Sequence, residues 1–82
     1  MTLAEKILDD IQNDNHAFEP GHRNDCVVNS MIACRYLGKD WAEWFDEHWT
    51  MSDGVQEHVD RVEPYLDSWF AKGKEEALGF LV

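Results

Sequence analysis

Apolar residues occur on almost every side of the stretch Asn24–Leu37 when it is drawn as a helix. At 100° per residue its apolar side chains fall in three neighbouring sectors, and only Asn29, Ser30 and Arg35 interrupt them. A helix that is apolar nearly all round belongs in the middle of a fold. Asn24 or Asp25 can cap its first turn, and Gly38 suits the left-handed residue just past its end. We therefore predict a central helix over this range.

A shorter pattern at the start of the chain predicts a first amphipathic helix. Thr2 followed by Glu5 forms a capping box, and the polar run Asn13–Asn15 ends the periodicity. Apolar residues recur between them at helical spacing, namely Leu3, Ile7, Leu8 and Ile11. The segment His16–Arg23 reads as an irregular connector, with Phe18 directed to the core.

Aromatic residues dominate the stretch after Gly38. Asp40 and Glu43 form a second cap-like pair, which predicts the start of a third helix. Its apolar stripe consists of Trp41, Trp44, Phe45, His48 and Trp49. Core packing is the simplest interpretation, because a small domain needs the large area that aromatic rings bury. An interface is the alternative, because tryptophan is enriched at binding hot spots.

A fourth helix is predicted to start at Ser52 or Asp53. Its stripe stays in phase across Pro64, which predicts one kinked helix or two collinear short ones, because proline removes a backbone donor. The stripe consists of Val55, Val59, Val62, Leu66, Trp69 and Phe70.

The C-terminal pattern predicts an end to that helix and a short apolar tail. Gly73 ends the helix, Glu75–Leu78 adds one more turn, and Gly79 precedes Phe80–Val82. We expect the tail to fold back on the core rather than to join two copies of the chain. The predicted fold is therefore all-α: a single domain over residues 1–82, with about four helices around the central one.

The composition narrows the function classes. A chain of 82 residues with 44% hydrophobic residues can form one small core. Seven basic residues against seventeen acidic ones give a net charge of −10. Direct binding to DNA or RNA is disfavoured, because phosphates would be repelled. A positively charged partner is favoured instead.

Carboxylates repeat along the outer faces of the third and fourth helices. Steps of three, four and seven residues space those of the fourth helix by about 5–10 Å along its axis, which is of the order of phosphate separations in a nucleic-acid strand. Glu5, Asp9, Asp10 and Asp14 add charge on the first helix. Solubility alone can account for such faces, but the net charge exceeds the magnitude of about 8 that it ordinarily needs. The candidate partner-binding residues are Glu43, Asp46, Glu47, Asp53, Glu57, Asp60, Glu63 and Asp67.

Cys26 introduces a second hypothesis. The segment Asn24–Val28, followed by Leu37–Lys39 and Trp41, resembles the nucleophile helix of small phage-type papain-like cysteine peptidases. The resemblance spans about eighteen residues and implies a nucleophilic Cys26, whose thiolate the helix N-terminus would stabilise. The family also has a glutamine six residues before the cysteine, where this chain has Pro20, and a histidine on a later β-strand.

Available histidines for such a pair are His48 and His58, and both lie in helical patterns. The alternative is that Cys26 serves as a small core residue. The spacing of His16, His22 and Cys26 matches no standard zinc pattern, so we predict no metal or cofactor. Two cysteines eight residues apart on a helix are too distant to bridge, and Met1–Leu8 lacks signal-peptide features. We therefore expect a cytoplasmic protein.

The functional expectation follows from charge and size. The chain is similar in both respects to small acidic anti-restriction and anti-CRISPR inhibitors of phages and mobile elements. This similarity implies a non-catalytic protein that occupies the basic surface of a nucleic-acid-binding protein. A minimal cysteine hydrolase and a small oligomerising adaptor are the alternatives, and a monomer is favoured over a homodimer.

Overall fold

The computed structural model describes all residues 1–82 and contains five α-helices, one 3₁₀ turn and no β-strand. The all-α prediction is confirmed. The helices are α1 (Leu3–Gln12), α2 (Arg23–Leu37), α3 (Trp41–Asp46), α4 (Asp53–Phe70) and α5 (Lys74–Ala77), and the 3₁₀ turn spans Leu78–Phe80. None of the helices is both long enough and apolar enough to cross a bilayer.

The central position predicted for α2 is confirmed, because α2 contacts every other helical element. Val27, Ile32 and Ala33 have no exposed surface, and side chains from α1, α3 and α4 close around them. The direction of α4 is set at two points: the Arg23 guanidinium lies against Gly54, where a Cβ would clash, and Arg35 binds Asp67 further along. The two helices therefore run in the same direction.

Local capping signals define four of the helix ends. Thr2 and Glu5 form the predicted capping box, Asp40 accepts hydrogen bonds at the start of α3, and the Ser52 hydroxyl accepts one from the Val55 N–H. Gly38 ends α2 in the left-handed conformation, with φ of 72°. These ends agree with the sequence because each signal acts within one turn.

The prediction that Asn24 or Asp25 caps α2 is wrong. The helix starts at Arg23 after His22, whose side chain makes no capping bond. The preceding turn is already hydrogen-bonded, because the N–H groups of His22 and Arg23 donate to the Glu19 carbonyl. Helical geometry therefore begins within the connector.

At Pro64 the structure has one of the two predicted alternatives, because α4 passes through the proline as a single helix. Two further boundaries differ from the predicted ones. α3 ends at Asp46, and Trp49 turns back against Phe18, with ring centroids 4.7 Å apart. Gly79 lies inside the 3₁₀ turn and does not free the tail from helical structure.

The C-terminal tail folds onto α2, as expected. The Val82 N–H donates to Asn29 Oδ1, and the Asn29 side-chain amide donates to the Val82 carbonyl, each at 2.9 Å. Leu81 packs against the core, whereas Phe80 stays 47% exposed and stacks on Trp69.

Candidate functional site

The acidic stripe of α4 has the predicted orientation. Val55, Val59, Val62 and Leu66 are buried on the opposite face of the helix, so the carboxylates on the outer face point to solvent. All five predicted acidic residues of this helix are exposed, namely Asp53, Glu57, Asp60, Glu63 and Asp67. We call these five residues the α4 acidic stripe.

The acidic residues of α3 and of its C-terminal end are also exposed. Trp44 and Phe45 anchor α3 in the core, which leaves Glu43, Asp46 and Glu47 outside. Glu47 lies beside α1, where it accepts a hydrogen bond from the Gln12 side chain.

Few of these carboxylates are neutralised. Four of the seventeen acidic side chains of the protein form an ion pair, and two of these, Glu57 and Asp67, belong to the α4 acidic stripe. Arg61 lies 3.4 Å from Glu57, and Arg35 binds Asp67. Asp53 and Glu63 have no cationic partner. Every acidic side chain in the chain is exposed, so the negative charge is presented to solvent.

A groove of about 530 Å³ lies beside the α4 acidic stripe. It is lined by residues of α2 and α4, by the segment Gly38–Ala42 at the start of α3, and by Met51. The apolar lining includes Met31, Cys34, Trp41, Met51, Val59 and Leu66. Glu63, a member of the stripe, is also part of the lining, so the stripe and the groove adjoin at this residue.

A partly buried hydrogen bond holds Trp41 in the groove lining. The Trp41 indole N–H donates to the Ser30 hydroxyl at 2.8 Å, and that hydroxyl donates to the Cys26 carbonyl one turn earlier at 2.5 Å. Ser30 is fully buried, and Trp41 also stacks on Phe45 with centroids 4.9 Å apart. These two contacts fix the orientation of the Trp41 ring.

Sequence reasoning missed this groove. Met31 and Cys34 lie within the predicted central helix, where the apolar pattern gives them no role at the surface, and Met51 lies between the third and fourth predicted helices. Met51 offered one available signal, because it is an apolar residue in the α3–α4 connection that belongs to no helical stripe.

Cys26 does not have the environment that the peptidase resemblance implies. It lies in the first turn of α2, but partial burial and the nearby Asp14 and Asp25 raise the pKa of its thiol. The thiol has no hydrogen-bond partner: His58 pairs its ring with Arg61 instead, with Nδ1 and Nη1 3.2 Å apart. Burial raises the pKa of the Cys34 thiol to about 12, and the shifts of both thiols oppose the thiolate that a nucleophile needs.

Aromatic rings form a second exposed feature, on the side of α4 away from the groove. Trp69 stacks between Tyr65 and Phe80, with centroid separations of 6.0 and 4.9 Å. Tyr65 is 57% exposed and Phe80 is 47% exposed. We call these three residues the tail stack.

No metal-binding site competes with the groove and the acidic stripe as the candidate site. No three His, Cys, Asp or Glu side chains are arranged to hold a metal ion. Comparison with known proteins finds no matching family model, no similar curated protein and no similar solved structure. The candidate site is therefore defined by its own geometry, as an acidic helix face beside an apolar groove.

Proposed function

We propose that this protein is a non-catalytic inhibitor that binds the basic, nucleic-acid-contacting surface of another protein and blocks it. The observation that carries the proposal is the exposure of all acidic side chains together with the small number of ion pairs. Uncompensated like charge opposes folding. Its presence therefore indicates a benefit elsewhere, either in solubility or in binding. In size and charge the chain is similar to the anti-restriction and anti-CRISPR inhibitors of phages.

The mechanism is electrostatic competition. The α4 acidic stripe places carboxylates at steps of about 4–6 Å over about 21 Å of the helix axis, so a row of arginines and lysines that normally contacts phosphates can contact it instead. Complementary charge also accelerates encounter and makes binding sensitive to salt. On this proposal the protein acts as a monomer in the cytoplasm and needs no metal or cofactor.

A displacement assay tests the proposal directly. Purified restriction nucleases and CRISPR effector complexes are each bound to fluorescent duplex DNA, and DNA release is followed by anisotropy as the protein is added. Release is expected for at least one enzyme and should weaken as salt rises, because exposed charges are screened. Release from no enzyme in the panel would count against the proposal.

Two variants with the same change in charge separate a specific surface from net charge. Asp53→Lys, Glu57→Lys and Asp60→Lys together reverse three of the five residues of the α4 acidic stripe. The control reverses three exposed carboxylates elsewhere, at Asp10, Glu19 and Glu76. The stripe variant should lose the ability to displace DNA, whereas the control variant should retain most of it. Equal losses would mean that displacement depends on overall charge and not on the stripe.

A further inference from the structure

The apolar groove beside the α4 acidic stripe has the lining and the volume to bind side chains of another molecule. Met31 is nearly buried at its floor, and Met51 is 37% exposed at its edge. Methionine adapts to differently shaped partners because it is unbranched and polarizable. Trp41, held by Ser30, provides a rigid aromatic wall of the kind that dominates interface energetics. A volume of about 530 Å³ exceeds the space that one side chain needs.

The lining carries equal numbers of carboxylates and cations, so its preference for an occupant depends on which of these charges are already paired. Glu63 lines the groove and has no ion-pair partner, and Asp40 lies on the opposite wall. Arg35 is already engaged, because it binds Asp67 and its guanidinium lies 5.5 Å from the Phe70 ring centroid. Lys39 is the one cation of the lining that has no ion-pair partner.

We propose that this groove seats a segment of the basic partner, with an apolar side chain on the floor and an arginine or lysine at Glu63. This inference rests on the proposed function and assigns the groove to the same partner that contacts the α4 acidic stripe. A second copy of the chain is disfavoured as the occupant, because each copy carries a charge of −10. Apolar burial in the groove adds a component of binding that salt does not screen.

Three synthetic peptides provide the probe. The first is a short helical peptide with arginine and leucine on one face. In the second, serine replaces each leucine at the same charge, and in the third, glutamate replaces each arginine. Binding is followed by NMR on the folded protein, through the methyl signals of Met31 and Met51 and the indole N–H of Trp41.

The inference predicts that only the first peptide shifts these three signals, and that its affinity exceeds that of the serine peptide by about tenfold. Met51→Ser and Ala42→Gln alter the groove without changing charge and should each weaken the first peptide by a similar factor. Tyr65→Ser removes an exposed apolar ring outside the groove and should have no effect. Lys39→Gln should strengthen binding.

Each contrary result tests the groove assignment separately from the proposed inhibitory function. Equal binding of the serine peptide, with unmoved Met51 and Trp41 signals, would overturn the groove and leave electrostatic blocking intact. Equal binding of the glutamate peptide would overturn the assignment of a basic occupant. If no peptide binds, the groove assignment is also wrong, whereas the displacement assay decides the inhibitory function independently.

Discussion

Two aromatic groups of the protein use the same residue types at different depths. The first, which we call the α3 cluster, consists of Phe18, Trp41, Trp44, Phe45 and Trp49. Phe45 at its centre is fully buried. In the tail stack, Trp69 is half-buried and its two neighbours are exposed.

The difference comes from the number of elements that meet at each group. The α3 cluster lies where the α1–α2 connector folds over α3, so Phe18 contacts three rings from the other side. The tail stack has one ring from outside α4, that of Phe80 in the tail. Helical spacing places Trp41, Trp44, Phe45 and Trp49 on one predicted stripe and Trp69 on another, but it does not show that the connector covers the first group.

Removal of the central ring of the α3 cluster should give the largest loss of stability. Phe45→Ala leaves a cavity among three stacked or edge-on rings and should cost about 3–5 kcal/mol, against a total stability of about 5–15 kcal/mol for a domain of this kind. Urea denaturation followed by circular dichroism measures the loss. Trp69→Ala in the tail stack should cost about half as much, and equal losses would show that the two groups do not differ in depth.

Removal of residues 79–82 should give the next largest effect. It deletes the Phe80 ring from the tail stack, the Leu81 contacts and both hydrogen bonds to Asn29. The expected loss is about 2 kcal/mol, or roughly 10 °C in melting temperature for a domain of this size.

The dependence on concentration shows where the tail packs. If the tail packs within its own chain, the melting temperature of the intact protein stays constant as concentration rises. A melting temperature that rises with concentration, together with a dimer in sedimentation that the truncation abolishes, would assign the tail stack to an interface between copies.

The buried hydroxyl beneath the α3 cluster should have a smaller effect. Ser30→Ala leaves the Trp41 indole N–H without its partner, which should cost about 1–2 kcal/mol. Ser30→Ala combined with Trp41→Phe removes donor and acceptor together, so the double variant should lose less than the sum of the single losses. Ser68→Ala is the control, because the Ser68 hydroxyl bonds a carbonyl at an exposed position. Equal losses for Ser30→Ala and Ser68→Ala would contradict the role of the buried bond.

The sequence predicted the features that depend on neighbouring residues. The capping box at Thr2, the side-chain caps at Asp40 and Ser52, and the left-handed Gly38 each act within a few residues, so spacing is sufficient. The orientation of the α4 acidic stripe also follows, because the buried valines determine the outer face.

The features that depend on distant residues were not predicted. Met31, Trp41 and Met51 line one groove only because α2 and α4 run in the same direction and the start of α3 crosses beside them. The start of α2 depends on a hydrogen-bonded turn from Glu19, and no cap residue marks it. Glu47 lies beside α1 through a hydrogen bond from Gln12, a residue 35 positions earlier in the chain.

Substitutions in the α4 acidic stripe should have the smallest effect on stability. Its side chains are exposed, whereas those at the centre of the α3 cluster are buried. Asp53→Lys, Glu57→Lys and Asp60→Lys together remove an exposed ion pair with Arg61 and place a cation in the first turn of α4. Each such change costs a few tenths of a kcal/mol, since exposed pairs and helix-dipole contacts are weak.

A gain from relieved repulsion opposes this cost. The chain carries a net charge of −10, and reversing three carboxylates weakens its self-repulsion. The two effects should nearly cancel, so we expect a net change under about 1 kcal/mol. Salt separates them: the unmodified protein should gain melting temperature as ionic strength rises, and the variant should gain less, because less repulsion remains to be screened. A loss as large as that of Phe45→Ala would mean that the stripe supports the fold, and its charge could not then be assigned to binding alone.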